Sequence, residues 1–86
     1  MIQKRNDMNI YQLRDNLIRV IANKQIALKQ YEDGLSHTSM AEGVAHSAVI
    51  EFLKINLEEL NNILLDVQKC VSIAEFAKEI HQHETN

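Results

Sequence analysis

Ile50-Glu51-Phe52-Leu53-Lys54-Ile55-Asn56-Leu57-Glu58-Glu59-Leu60-Asn61-Asn62-Ile63-Leu64-Leu65-Asp66-Val67 is the stretch on which the fold turns. Within it Ile50, Leu53, Leu57, Leu60, Leu64 and Val67 recur by alternating steps of three and four, and Val71 and Ala74 continue the series. A period of this kind places every member on one side of a helix and predicts a bundle or coiled-coil seam. Val49, Phe52, Ile63 and Cys70 flank the seam and widen it to an apolar face of about 160°. One narrow partner helix does not cover a face that wide, so a second contact surface is expected.

Upstream, Ser39-Met40-Ala41-Glu42 spells a capping box, in which the serine and glutamate side chains satisfy each other's free first-turn amides. The long helix is therefore expected to begin there. Before it, Ile10, Leu13, Leu17, Val20, Ile21, Leu28 and Tyr31 mark an amphipathic helix, interrupted on its stripe by Lys24. Asp7 is expected to cap its start, and Gly34 to end it in a left-handed conformation with Leu35 folding back on the last turn. The link is short, which makes the two helices antiparallel neighbours. Charge agrees: residues 1–33 hold six Lys/Arg and four Asp/Glu, while 34–86 hold three and eight, so pairing the halves brings opposite charges together.

Downstream the seam fails, because Phe76 and Ile80 on a straight continuation project among Glu51, Glu58, Asn62 and Lys69. Ser72-Ile73-Ala74-Glu75 repeats the capping-box spelling where a break would help. The expected organisation is a single all-α domain over residues 1–86. It comprises helix 1 over 8–33, a link over 34–38, helix 2 over 39–71, a short C-terminal helix over 73–80, and a polar tail over 81–86. The alternative is a continuous helix whose late apolar patch docks on a neighbouring subunit.

With no proline, two glycines and 45% hydrophobic residues, little in the 86-residue chain interrupts helices. A chain this short buries a small fraction of its surface and often needs a staple or a partner. Cys70 is the only cysteine, so no intrachain disulfide can supply the staple, and the thiol is expected to pack. Two antiparallel hairpins closing as a four-helix bundle would complete the core, with Ile50, Leu53, Leu57, Leu60, Leu64, Val67 and Val71 at the homodimer interface. No segment has the length of apolar sequence that a membrane helix needs, and Met1-Ile2-Gln3-Lys4-Arg5-Asn6-Asp7 lacks a secretory apolar run, so the cytoplasm is the expected compartment.

The chemistry-bearing residues do not assemble into a catalytic or metal pattern. His81 and His83 are two apart, which on a helix turns their rings about 200° from each other. His37 and His46 have no cysteine or paired carboxylate at ligand spacing, and neither a cofactor nor a metal is expected. Glu51, Glu58, Glu59 and Asp66 diverge on the outer face of helix 2, where acid/base or Mg²⁺ work needs them to converge. There is no nucleophile turn and no glycine loop for phosphate, so an enzyme is not expected. Arg14, Arg19, Lys24 and Lys29 are spaced by five and spread around helix 1 instead of forming a stripe for nucleic acid.

Two sets of residues remain as candidates for binding. His46 falls in register with the seam just after Gly43, among small residues that let another chain approach, so it faces either a packed interface or a ligand pocket. In the ligand reading, Arg14 or Arg19 assists His46 in holding a nucleotide or similar anion between subunits. Ile55 and Ile73 lie near the middle of the charged outer face, and in company with Phe76 or Leu65 they would mark a docking surface for another protein. The run Ala41-Glu42-Gly43-Val44-Ala45-His46-Ser47-Ala48-Val49-Ile50-Glu51-Phe52-Leu53-Lys54-Ile55-Asn56-Leu57 resembles stretches in small bacteriophage-encoded helical proteins. The resemblance implies an accessory protein made during infection, one that binds or inhibits a host factor.

Overall fold

The computed structural model describes residues 9–85, with the side chains of Ser36 and of residues 83–85 outside the description. Two helices account for nearly all of it: α1 (Ile10–Gly34) and α2 (Met40–Thr85), joined by one 3-10 turn, Leu35–His37. They fold back as an antiparallel hairpin. Tyr11 near the start of α1 meets Glu75 late in α2, and Tyr31 near the end of α1 meets His46 early in α2.

Helix α1 starts at Ile10, two residues later than the sequence predicts, because Asn9 and Gln12 form the capping box. Asn9 Oδ1 accepts from the Gln12 amide at 2.9 Å, and Gln12 Oε1 accepts from the Asn9 amide at 3.1 Å. Asp7, the expected cap, lies outside the described residues. The other end also differs. Gly34 has φ −78° and ψ −15°, ordinary right-handed backbone, so the chain does not reverse through a left-handed glycine. It tightens into the 3-10 turn instead, the Leu35 amide donating to the Glu32 carbonyl and the Thr38 hydroxyl donating to the Leu35 carbonyl at 2.9 Å. Thr38 is extended, and Ser39 then caps α2: its Oγ accepts from the Glu42 amide at 3.3 Å while Glu42 Oε1 accepts from the Ser39 amide at 3.5 Å.

The expected break at Ser72 is absent. Helix α2 runs unbroken for 46 residues, so the separate third helix over 73–80 and the polar tail over 81–86 are both replaced by continuous helix to Thr85. Two physical reasons apply. Nothing between Gly43 and Thr85 is a glycine or proline, so no residue forces an interruption. And Glu75, whose carboxylate would have to turn back to the Ser72 amide, is engaged by Tyr11 and by Lys78.

The seam packs as its period demands, and helix α1 is what covers it. Ile50, Leu57 and Val67 of α2 are buried together with Ile21 of α1; Leu53, Leu60, Leu64, Val71 and Ala74 are half-buried. Opposite them Ile10, Leu17, Val20, Lys24 and Leu28 are half-buried. The molecule measures 68 × 34 × 15 Å. At about 1.5 Å per residue α2 alone accounts for the long dimension, and the short one is a single layer of helices. Among the described residues no side chain is completely buried.

Candidate interaction surface

One side of each helix has a neighbour and the rest faces water, so the residues of interest lie on exposed faces. On α2, Phe52 is 65% exposed and Ile63 48% exposed, and Cys70 is a free exposed thiol. The sequence places Cys70 as a packing residue; within the hairpin it is not packed, because it sits on the flank of the seam that α1 does not reach. Val49, at the head of the same flank, is half-buried. These side chains do not scatter. Ala45, Val49, Phe52, Asn56, Glu59, Ile63, Asp66, Cys70, Ile73, Ala77 and Ile80 recur by the same alternating steps as the covered seam, rotated from it by about 80–100° around the helix. Helix α2 therefore carries two adjacent stripes, of which α1 covers one.

A second exposed group overlaps the far end of that stripe and extends it around α2 to Phe76. Ile73 (67% exposed), Phe76 (63%) and Ile80 sit three and four residues apart and adjoin one another at the far end of the helix. Ile55, half exposed, is separated from Ile73 by eighteen residues, about 27 Å of helix, and is not part of that cluster. Leu65 lies between them and is also exposed.

The loop end of the hairpin holds His46. Its ring packs at a 59° tilt on Tyr31, with centroids 5.1 Å apart, and its Nδ1 lies 3.1 Å from the Glu42 carbonyl oxygen one turn earlier. If Nδ1 carries the ring proton, it donates to that carbonyl and Nε2 is left as an acceptor. Gln30, Tyr31 and His46 line an open groove of about 390 Å³. Gly43, close by, contributes no close approach within the chain: a methyl group there would meet only Thr38 Oγ1, at 3.5 Å.

The basic residues proposed to help His46 are elsewhere. Arg14 is at the opposite end, its Nε 3.1 Å from Asp15 Oδ1 and its guanidinium 5.8 Å from the Tyr11 ring centroid. Arg19 is exposed on the middle of α1. Along α1 these two lie about 26 and about 18 Å from Tyr31, so a single chain brings neither to the groove. Arg14 belongs to a polar clasp that sequence reading missed. The Tyr11 hydroxyl donates to Glu75 Oε2 at 2.5 Å, while Lys78 Nζ lies 3.7 Å from the same carboxylate oxygen and 5.4 Å from the ring centroid. The hydrogen bond from Tyr11 and then the Lys78 charge hold the Glu75 carboxyl below the usual range, and the same bond holds the Tyr11 phenol above its own. A signal for the clasp was present only in retrospect, as an aromatic phenol near one end of α1 and an acid–base pair near the far end of α2.

Among the described residues no three His, Cys, Asp or Glu side chains converge as metal ligands, and no helix is long and apolar enough to cross a membrane. Comparisons with protein-family models, with curated proteins and with solved structures return no match for this chain.

Proposed function

We propose that this protein is a non-enzymatic helical interaction module that self-associates, two hairpins pairing as a four-helix bundle, and that works by contact with other protein chains. The observation that carries the proposal is the set of exposed apolar side chains on the uncovered flank of α2, Phe52 and Ile63 among them, beside a seam that is itself only partly buried. A domain ordinarily closes two packed layers around its core, and this hairpin supplies one. Among the described residues only Ile21, Ile50, Leu57 and Val67 are buried, a small core for a folded domain. Helix α1 already holds the seam from Ile50 to Val71, and pairing would complete the burial of its half-covered members from the side.

Ile55, Leu65 and Phe76, exposed on the outer face of α2 and outside the stripe, are then the surface left for a different protein, in keeping with what the resemblance of residues 41–57 to small bacteriophage-encoded helical proteins implies, an accessory protein that binds a host factor. Light scattering on the purified chain at micromolar concentration tests the self-association: twice the 9.9 kDa chain mass supports it, and a stable helical monomer contradicts it.

A second reading, a small-ligand binder for a nucleotide or similar anion, is favoured by the groove at Gln30, Tyr31 and His46. It requires a second copy to bring Arg14 or Arg19 to His46. A thermal-shift screen separates the two readings, since a sequestering protein gains roughly 3 kcal/mol at a hundredfold excess of ligand over its dissociation constant.

A further inference from the structure

We propose that the far end of α2 is a two-state device, in which Glu75 either accepts from Tyr11 and keeps the helix straight or turns back to cap a helix restart at Ser72. Three observations carry it. Ser72-Ile73-Ala74-Glu75 has the spelling of the capping box that Ser39-Met40-Ala41-Glu42 forms at the start of α2, where both reciprocal bonds are made. In the straight helix the Glu75 carboxylate is held from α1 by the Tyr11 hydroxyl and lies 3.7 Å from Lys78 Nζ. And around that tie α2 is barely packed: Val71 and Ala74 are half-buried, but every side chain from Glu75 to Gln82 is exposed, and Ile73 is exposed before them.

The two uses of Glu75 exclude each other. In the straight helix the Ser72 amide is bonded within the ladder and has nothing to offer the carboxylate, and in the restarted one the carboxylate is drawn back against its own helix, away from α1. The restart gives up ladder bonds around Ser72 and recovers two from side chains, Ser72 Oγ accepting from the Glu75 amide and the Glu75 carboxylate from the Ser72 amide. Local charge favours both new ends: Lys69 stands in the last turn before Ser72 and Glu75 in the first turn after it, the signs that a helix C-terminus and N-terminus prefer. A restarted helix also has its rotation set afresh. Ile73, Phe76 and Ile80 then turn from water toward the first turns of α1, where Leu13 is exposed. The straight state presents Phe76 on the outer face and the restarted state withdraws it, so the bond between Tyr11 and Glu75 sets whether that part of the interaction surface is available. This last consequence rests on the interaction reading; the restart itself does not.

Amide hydrogen exchange followed by NMR on the full chain tests the device. A capping box leaves the first two amides of its helix, here Ile73 and Ala74, without partners while those of Ser72 and Glu75 stay bonded, a signature that fraying from the end of α2 does not share. In Tyr11→Phe the amides of Ile73 and Ala74 should exchange at least about tenfold faster than in wild type, with Ser72 and Glu75 lagging behind them and Ile50 to Val67 unchanged. Adding Ser72→Val should reverse the change, because valine is close to serine in helix propensity and cannot cap. Ser72→Val alone should slow the same two amides by about threefold relative to wild type, a comparison that decides even if Tyr11→Phe unfolds the hairpin. Unchanged exchange at Ile73 and Ala74 in Tyr11→Phe overturns the device. So does a loss of protection that grows smoothly toward Thr85 and survives Ser72→Val, and so does a Ser72→Val chain whose two amides exchange as in wild type. The exchange is read without any partner present, so a failure of the interaction reading leaves its result standing.

Discussion

The hydroxyl of Tyr11 donates a hydrogen bond to the carboxylate of Glu75, 64 residues further along the chain, and so ties the beginning of α1 to the late part of α2. That bond needs a protonated phenol and an ionised carboxylate. Glu75 has a lowered pKa when folded, so its contribution is present above the ordinary carboxyl value of 4.5 and is lost as pH falls through the folded value. Tyr11 has a raised one, so its contribution is present below the ordinary phenol value of 10.0 and is lost as pH rises through the folded value. The melting temperature of wild type minus that of Tyr11→Phe should therefore be positive and small across neutral pH, and should shrink toward zero at both extremes. A difference that is flat from acid to alkali would show that the clasp contributes nothing.

Gly34 gives a prediction of opposite sign to the one its sequence context suggests. A left-handed glycine cap resists replacement, but Gly34 is right-handed and a methyl group there meets nothing within 4 Å. Gly34→Ala should stabilise the hairpin by about 0.5–1 kcal/mol in chemical denaturation. Gly43→Ala, with only an ordinary contact to Thr38 Oγ1, should do likewise. Destabilisation by Gly34→Ala would return the turn to the left-handed form.

The caps should be separately measurable. Asn9→Ala and Ser39→Ala each remove the side-chain acceptor of a capping box and should each cost about 1 kcal/mol. Because the boxes stand on different helices, the double variant should cost close to the sum.

Seam and outer face should respond oppositely to a buried or exposed change. Leu57→Ala removes a buried contact and should cost about 2–4 kcal/mol, enough to unfold much of so thin a hairpin. Leu60→Asp places a charge in the same seam and should be worse. Ile55→Asp, on the half-exposed outer face, should leave helicity and oligomeric mass unchanged. Loss of helicity with Ile55→Asp would mean that the outer face is also packed.

The seam was legible because a period of three and four over several heptads has one structural meaning, and Ile50, Leu57 and Val67 are buried where it puts them. The Ser39 box was legible for a similar reason, since both of its partners are local. Asn9 and Gln12 carried the same spelling, but the more acidic Asp7 two residues earlier drew the cap away from it. Ser72 and Glu75 misled because the spelling of a cap is necessary and not sufficient: a long-range partner, Tyr11, takes the glutamate and the helix continues. No local rule reports a contact across 64 residues. The width of the apolar face on α2 was legible as an excess. Which side of it α1 leaves open depended on how the two helices are rotated against each other, which the sequence period leaves free.

The measurement that tests the central claim most directly is the thermal midpoint of the wild-type chain, followed by circular dichroism over a hundredfold range of protein concentration. If folding is completed by pairing, the midpoint rises steadily with concentration, because association stabilises the native state by mass action. A midpoint independent of concentration, with full helicity at the lowest one, would show that the single-layer hairpin stands alone and would contradict the account.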